Sequence, residues 1–309
     1  MNGKHFFRRY CWFLVGYNVL VILWGAVVRA TGSGAGCGSH WPLCNGEVVP
    51  QLQRIETVIE LIHRITSTLD GVLVIVLVIL AYRIFGQKSN IFKWAAAALI
   101  FIIFEGLLGR MLVVQEWVAD NVSVMRAIAV AVHLVNTYLL LLTLTVTAWL
   151  ANMQVAIKKR ELRIAIYLIF IGITLTIIFS ATGAITALGD TLFPAETFLS
   201  DFYKDFDPTS NFLIRLRIIH PILAIFTSGY LIFTVRFIQK KELGKNVIRR
   251  GNWLQFIIAV QVLAGGFTIL TLAPIYMQII HLFLANSFWI SLILFSLEVL
   301  TIPQRVSST

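Results

Sequence analysis

Four histidines, His63, His133, His220 and His281, each lie roughly 5 to 8 residues inside a separate apolar segment. An ionisable ring within hydrocarbon is costly to keep and marks a functional site. Neutral imidazole is also the commonest side-chain ligand for a metal and for heme iron. Four rings at one depth suggest two pairs, each able to hold one heme from both faces. Zinc fits poorly, because no cysteine or carboxylate set completes a tetrahedron at that level. Residue types alone leave copper open. A lone histidine in a helix bundle more often only hydrogen-bonds to a neighbouring helix, but four at equivalent positions favour ligands.

The elements that position these rings follow from composition. The chain of 309 residues is 58% hydrophobic and 13% charged, with a mean hydropathy of +0.85, which leaves too few polar groups to solvate a globular surface. This predicts an all-α integral membrane protein. Apolar runs long enough to span hydrocarbon recur near 11–28, 58–82, 94–114, 127–150, 163–186, 213–235, 253–272 and 275–299, giving eight transmembrane helices. The first follows Arg8 and Arg9 like a signal peptide, yet no A-x-A-like site ends it, so it is read as a retained helix.

Short cytoplasmic loops carry the excess of Lys and Arg. Seventeen of the 25 fall in the N-terminus, the 83–93, 158–163 and 236–250 links and at Arg305. Both termini are therefore expected in the cytoplasm of a multi-pass protein of the cell (inner) membrane. The net charge of +10 is accounted for by the anionic leaflet of the bilayer, with no nucleic acid partner. All four histidines then sit on helices entering from outside, about 7 to 11 Å below the outer helix ends.

An internal repeat is also visible. Gly25-Ala26-Val27 matches Gly183-Ala184-Ile185, and His63, Gly109 and the outer ends of their helices recur near His220 and Gly266. The fold is thus expected to be two pseudo-symmetric four-helix bundles. The first covers 1–150 with an outer loop over 29–57, the second covers 163–309, and a basic cytoplasmic link over 151–162 joins them. Such bundles commonly hold heme between facing histidines.

Heme propionates need cations near the outer interface, and Arg29, Arg64, Arg110 and Arg126 are available in the first half, Arg215 and Arg217 in the second. Gly106, Gly109, Gly265 and Gly266 could let a flat macrocycle approach the backbone. Glu60 precedes His63 by one helical turn, where the second half has Arg217. A carboxylate there can accept protons or steer water during an oxidation, or simply favour the helix N-terminus. Asp70 is read as a proton-path group or, preferably, a polar helix contact. Cys37 and Cys44 lie in the outer loop, where a structural disulfide is the first expectation, worth roughly 2 to 3 kcal/mol for so small a ring. Cys11 is read as a packing residue.

The string Thr31-Gly32-Ser33-Gly34, then Gly36-Cys37-Gly38 and Trp41-Pro42-Leu43-Cys44, then Glu60-Leu61-Ile62-His63-Arg64, with one histidine in each even-numbered helix, resembles the heme A synthase family over essentially the whole chain. The resemblance implies oxidation of the C8 methyl of heme O, the substrate, to a formyl group by successive hydroxylations, with heme A as product. It implies that His63 and His133 bind the substrate with Glu60 assisting, that His220 and His281 hold a resident heme b for electron transfer, and that Cys37 and Cys44 form the disulfide seen in some members. Heme O synthase is the implied donor, and a membrane quinone or other acceptor takes the electrons. Oligomeric state is left open, a homo-oligomer included. Two mechanisms fit: loss of one axial ligand during turnover, or electron removal from the porphyrin with water supplying oxygen. The rival reading is a non-enzymatic diheme b-type cytochrome carrying electrons from quinol. Against it, such hemes commonly lie at two depths. A transporter would require broken helices at mid-membrane.

Overall fold

In a computed structural model the protein is described over residues 2–48, 50–51, 53–153, 156–159 and 162–304. Arg160 and Arg305, counted above among the basic residues, and part of the 151–162 link lie outside the described residues. The helices are α1 (Asn2–Ala30), α2 (Ile55–Phe85), α3 (Asn90–Val114), α4 (Val124–Asn152), α5 (Arg163–Leu192), α6 (Phe198–Phe206), α7 (Phe212–Leu216), α8 (Ile219–Gln239), α9 (Lys245–Leu270) and α10 (Ile275–Leu300). Among the described residues eight spans are long and apolar enough to cross a bilayer, with α7 and α8 together forming the sixth. Each expected span is present, and several start earlier than their apolar runs. The helix of α9, for instance, begins in the polar turn at Lys245, because backbone hydrogen bonding continues beyond the hydrocarbon.

The sixth span is interrupted at Arg217–Ile218. Pro221 offers no N–H to the carbonyl of Arg217, and its ring crowds that carbonyl, so the ladder breaks one turn before His220. Two further elements were not anticipated. A nine-residue helix, α6, sits in the loop after α5, its start capped by Thr197, whose hydroxyl accepts from Ser200 N at 3.2 Å. At the opposite end, β1 (Ala156–Lys159) pairs antiparallel with β2 (Thr301–Gln304), Ala156 facing Gln304. The otherwise all-α fold therefore carries one short ribbon.

Helix α1 packs on α2, α2 on α3, α3 on α4 and α4 back on α1. The helices α5, α8, α9 and α10 close a second ring in the same way, and the two rings meet where α4 packs on α5 and α10. In each ring the histidine-bearing helices are diagonal to one another, so their rings can face across the interior. At the contact between rings, Tyr138 stacks on Trp289 with centroids 4.9 Å apart, and the indole N–H donates to the Tyr138 carbonyl at 2.9 Å.

The main core gathers Phe7, Leu14, Leu77, Leu141, Leu254, Ile238 and Phe295 at the ribbon end of the spans. The helices are packed tightly there and part towards the other end, which leaves a cavity around the histidines. Outward faces carry exposed Leu20, Phe104, Phe170, Phe226 and Leu263. Water would penalise such a belt and lipid does not, since every backbone group inside a helix is already paired. The protein is a multi-pass integral membrane protein.

Candidate functional site

The parted helices enclose a cavity of about 1160 Å³ lined by all four expected histidines, together with Glu60, Arg64 and Arg217. That exceeds the roughly 300–1,000 Å³ typical of a site for one small ligand. Residues of both rings line it, so the two histidine pairs open onto one space.

Three of the rings lie against a glycine on a neighbouring helix. A Cβ added at Gly25 would stand 3.1 Å from His63 Cε1, one at Gly183 2.7 Å from His220 Cε1, and one at Gly265 3.1 Å from His281 Cε1. The repeated Gly-Ala-aliphatic string thus has a local cause in each half: only glycine leaves room for the imidazole. Gly106, Gly109 and Gly266 also line the cavity, with nothing within 4 Å of a Cβ built on them. They leave bare backbone beside open space, the room a flat macrocycle needs.

The His220 and His281 rings stand with centroids 6.4 Å apart and planes at 85°. With metal–imidazole bonds of about 2.0–2.1 Å and a ring centre about 1.1 Å behind each nitrogen, two rings on one iron stand about 6 Å apart. The separation of the two rings therefore matches that of two imidazoles on one iron. His220 Nδ1 donates to the Phe179 carbonyl at 3.0 Å, which leaves Nε2 free as the ligating atom. The Gln261 amide donates to His281 Nε2 at 3.2 Å, and His281 Nδ1 is buried with no partner. Among the described residues no cluster of three or more His, Cys, Asp or Glu could cage a bare metal ion.

The first pair is built differently, because a carboxylate that the spacing of the histidines does not point to stands beside it. Glu105 on α3 lines the cavity beside His133, its Oε1 3.6 Å from His133 Nδ1, which has no partner. The same carboxylate accepts from Asn136 Nδ2 and from Thr137 Oγ1, both at 2.5 Å. Gln261 holds the corresponding place beside His281. An acid next to one ligand and a neutral amide next to the other is a real chemical difference. The available signal was simply a carboxylate well inside an apolar span.

Glu60 is 3% exposed, and its role is more connected than its spacing implied. Its Oε2 accepts from Cys37 N at 2.8 Å, while Oε1 accepts from Arg64 Nε at 3.0 Å and Nη2 at 2.6 Å. Arg64 Nη1 donates to the carbonyls of His40 and Leu43, each at 2.7 Å. Thr57 Oγ1 donates to Gly36 O at 2.7 Å, and Gly36 lies so close to the Glu56 and Thr57 backbone that no side chain fits. The loop that carries the Cys37–Cys44 disulfide, as expected, is thereby latched onto the first turns of α2 directly beside His63. Cys11 is buried and free.

The remaining arginines divide. Arg29 crosses to the second ring, donating to Ala187 O at 2.5 Å, Thr191 Oγ1 at 2.6 Å and Gln278 Oε1 at 3.0 Å. Arg126 donates to Ala119 O and Asn121 O. Arg217 is 6% exposed and pairs with Asp190 at 3.1 Å and Asp201 at 2.7 Å, and also donates to the carbonyls of Gly189 and Phe193. It pins α6 to the end of α5 while still bordering the cavity. Arg110 lies over the Trp41 ring, and the exposed Arg215 does not line the cavity.

Comparison with known proteins adds three findings. A family model described as a cytochrome oxidase assembly protein, COX15-CtaA, matches residues 8–293. A Thermus thermophilus chain named protoheme IX farnesyltransferase is 41% identical over 281 residues, which is 91% of this chain and 46% of that one. Heme A synthases of Alkalihalophilus pseudofirmus and Halalkalibacterium halodurans are 49% and 50% identical over 96 residues, 31% of this chain and 32% of each of theirs. The chain thus spans about half the length of the Thermus relative and aligns with about a third of the two synthases.

Proposed function

The chain belongs to the COX15-CtaA family of cytochrome oxidase assembly proteins, and from that membership we propose that it is a heme A synthase acting on heme O. The observation that carries this reading is one cavity lined by four histidines in unlike surroundings, a carboxylate beside His133 and an amide beside His281. A plain electron carrier has no need of that asymmetry. The 96 residues that align at 49% and 50% identity with heme A synthases point the same way.

In this reading His63 and His133 hold heme O, with Arg64 and Arg126 at the propionate edge. The C8 methyl is oxidised by two electrons twice, four in all, gaining one oxygen atom each time while the electrons pass to a membrane acceptor such as quinone. The hydroxymethyl stage goes on to a hydrated formyl group that sheds water. Glu105, fixed by Asn136 and Thr137, sets a carboxylate 3.6 Å from His133 Nδ1, where its charge can favour that ring as a ligand. Glu60 is the carboxylate beside His63 that can take a proton or steer water. His220 and His281 hold a heme b, which when bound supplies a one-electron step between the substrate and a membrane acceptor such as quinone. The apolar walls and the latched loop keep water from the reacting edge. A protoheme-farnesylating enzyme is the donor this chemistry requires, in keeping with the name of the Thermus relative. The excess of Lys and Arg in the basic links supports a cell (inner) membrane location with both termini on the cytoplasmic side.

The test is pigment extraction from purified protein, followed by chromatography and mass analysis. Heme b together with heme O or heme A is expected. Heme b alone, even after heme O is supplied, would overturn the proposal in favour of a diheme carrier.

A further inference from the structure

Beyond the His63–His133 layer, towards the ribbon end, the cavity reaches a polar floor set in apolar walls. Asn18 of α1 and Asp70 of α2 both line it, at 2% and 1% exposure. Asn18 Nδ2 donates to Asp70 Oδ2 at 2.6 Å. That leaves Asp70 Oδ1 and Asn18 Oδ1 buried with no partner. Unmade hydrogen bonds of buried acceptors are costly, so this pair is built to receive a donor that arrives with a ligand. Gly71, Ile75, Leu99 and Ile102 line the same cavity, and such apolar walls suit a hydroxyl carried on an apolar chain. Asp70 is seven residues from His63, about 10 Å along the helix and about 20° around it, so both face one space. Arg64 and Arg126 border the same cavity at its loop end. The site is therefore polarised, with cations for the acidic edge of a ligand and acceptors for a neutral donor at the opposite edge.

We propose that Asp70, held in place by Asn18, accepts a hydrogen bond from the hydroxyl on the isoprenoid side chain of the substrate, so that the floor distinguishes heme O from protoheme. Protoheme carries a vinyl group at that position and has no donor to offer. The proposal rests on the reading of heme O as substrate of the first pair.

The test uses the full-length protein, titrated with heme O and with protoheme while the low-spin absorbance is followed. Loss of signal in His63→Ala identifies the first site. In the apolar double variant Asn18→Leu/Asp70→Leu, heme O affinity should fall about ten- to one hundredfold, the worth of a hydrogen bond to a charged acceptor. Protoheme affinity should stay within about threefold, and pigment at His220 and His281 reports that the variant is folded. Should that variant fail to fold, Asp70→Asn keeps an acceptor without the charge and should lower heme O affinity severalfold with protoheme unchanged. Equal losses for both hemes, or undiminished heme O binding with stalled turnover as a proton path would give, would overturn the subsite. If neither heme depends on His63, the function itself fails and the subsite with it.

Discussion

Replacing Glu60 by glutamine should unlatch the disulfide loop. The carboxylate accepts three N–H groups, two from Arg64 and one from the Cys37 backbone. A glutamine keeps one acceptor oxygen and turns an amide donor towards either Arg64 or Cys37, so at least one charge-assisted bond is lost, about 1.5–3 kcal/mol. The side chains are 4% and 12% exposed, so water screens the pair weakly, and complete loss of a buried partner would cost about 3–5 kcal/mol. Arg64 keeps its bonds to His40 O and Leu43 O, which places the expected cost near the lower range, at about 2–3 kcal/mol. The undocked loop should then be about 30- to 150-fold more populated. The assay is the rate at which a small thiol reduces Cys37–Cys44 under native conditions, which tracks the open population when reclosing is fast. In a cycle with Arg64→Met, the two effects should be non-additive by about 2 kcal/mol. A reduction rate within about threefold of wild type, or simple additivity, would refute the latch. Pigment at His220 and His281 should be untouched, while formation of heme A should stall.

Gly183→Ala puts a methyl 2.7 Å from His220 Cε1, and Gly25→Ala puts one 3.1 Å from His63 Cε1. Overpacking of this kind costs about 1–3 kcal/mol, so the first variant should lose more pigment per protein from its pair than the second does, and equal retention would contradict the close-contact reading. Glu105→Ala removes an acceptor from Asn136 and Thr137, yet each keeps a carbonyl partner, at Phe101 and His133. The loss should be only about 1–3 kcal/mol, seen as a lower Tm, with a shifted spectrum for the pigment on His133; an unchanged spectrum would separate Glu105 from that ligand. Asp205, beyond the spans, is raised above the ordinary carboxylate range by burial, with Arg217 opposing and Asp201 adding to the shift. A raised folded value makes ionisation unfavourable, so stability falls as pH rises from the unfolded value near about 3.9 through the folded one. Asp205→Asn should abolish that dependence and raise the neutral-pH Tm, and a lowered Tm would sink the assignment.

Much of the fold is legible from single residues. Length and hydropathy define each span, because no other regular structure satisfies its own backbone in lipid without closing a barrel. The break at Arg217–Ile218 is foreshadowed by Pro221, and the disulfide by two cysteines in one loop. The short ribbon between Ala156–Lys159 and Thr301–Gln304 is not legible, since it pairs segments from distant parts of the chain. Helix α6 was hidden within a loop rich in acids. In the site, the histidines announced themselves by their depth, whereas Arg215 and Arg217 looked alike and proved different. Arg217 is buried among Asp190, Asp201 and two carbonyls, and Arg215 points away.

By itself the sequence determined that this protein crosses a bilayer, where its eight apolar spans run, and that each even-numbered span carries one histidine. These follow from composition and from rise per residue, which are local properties. Only the tertiary structure decided that the rings share one cavity, that Glu60 is tied to a disulfide loop, and that Glu105 and Gln261 make the two pairs chemically unequal. Those outcomes depend on which helix faces which across a bundle, and packing between helices leaves no trace in the spacing along any one of them.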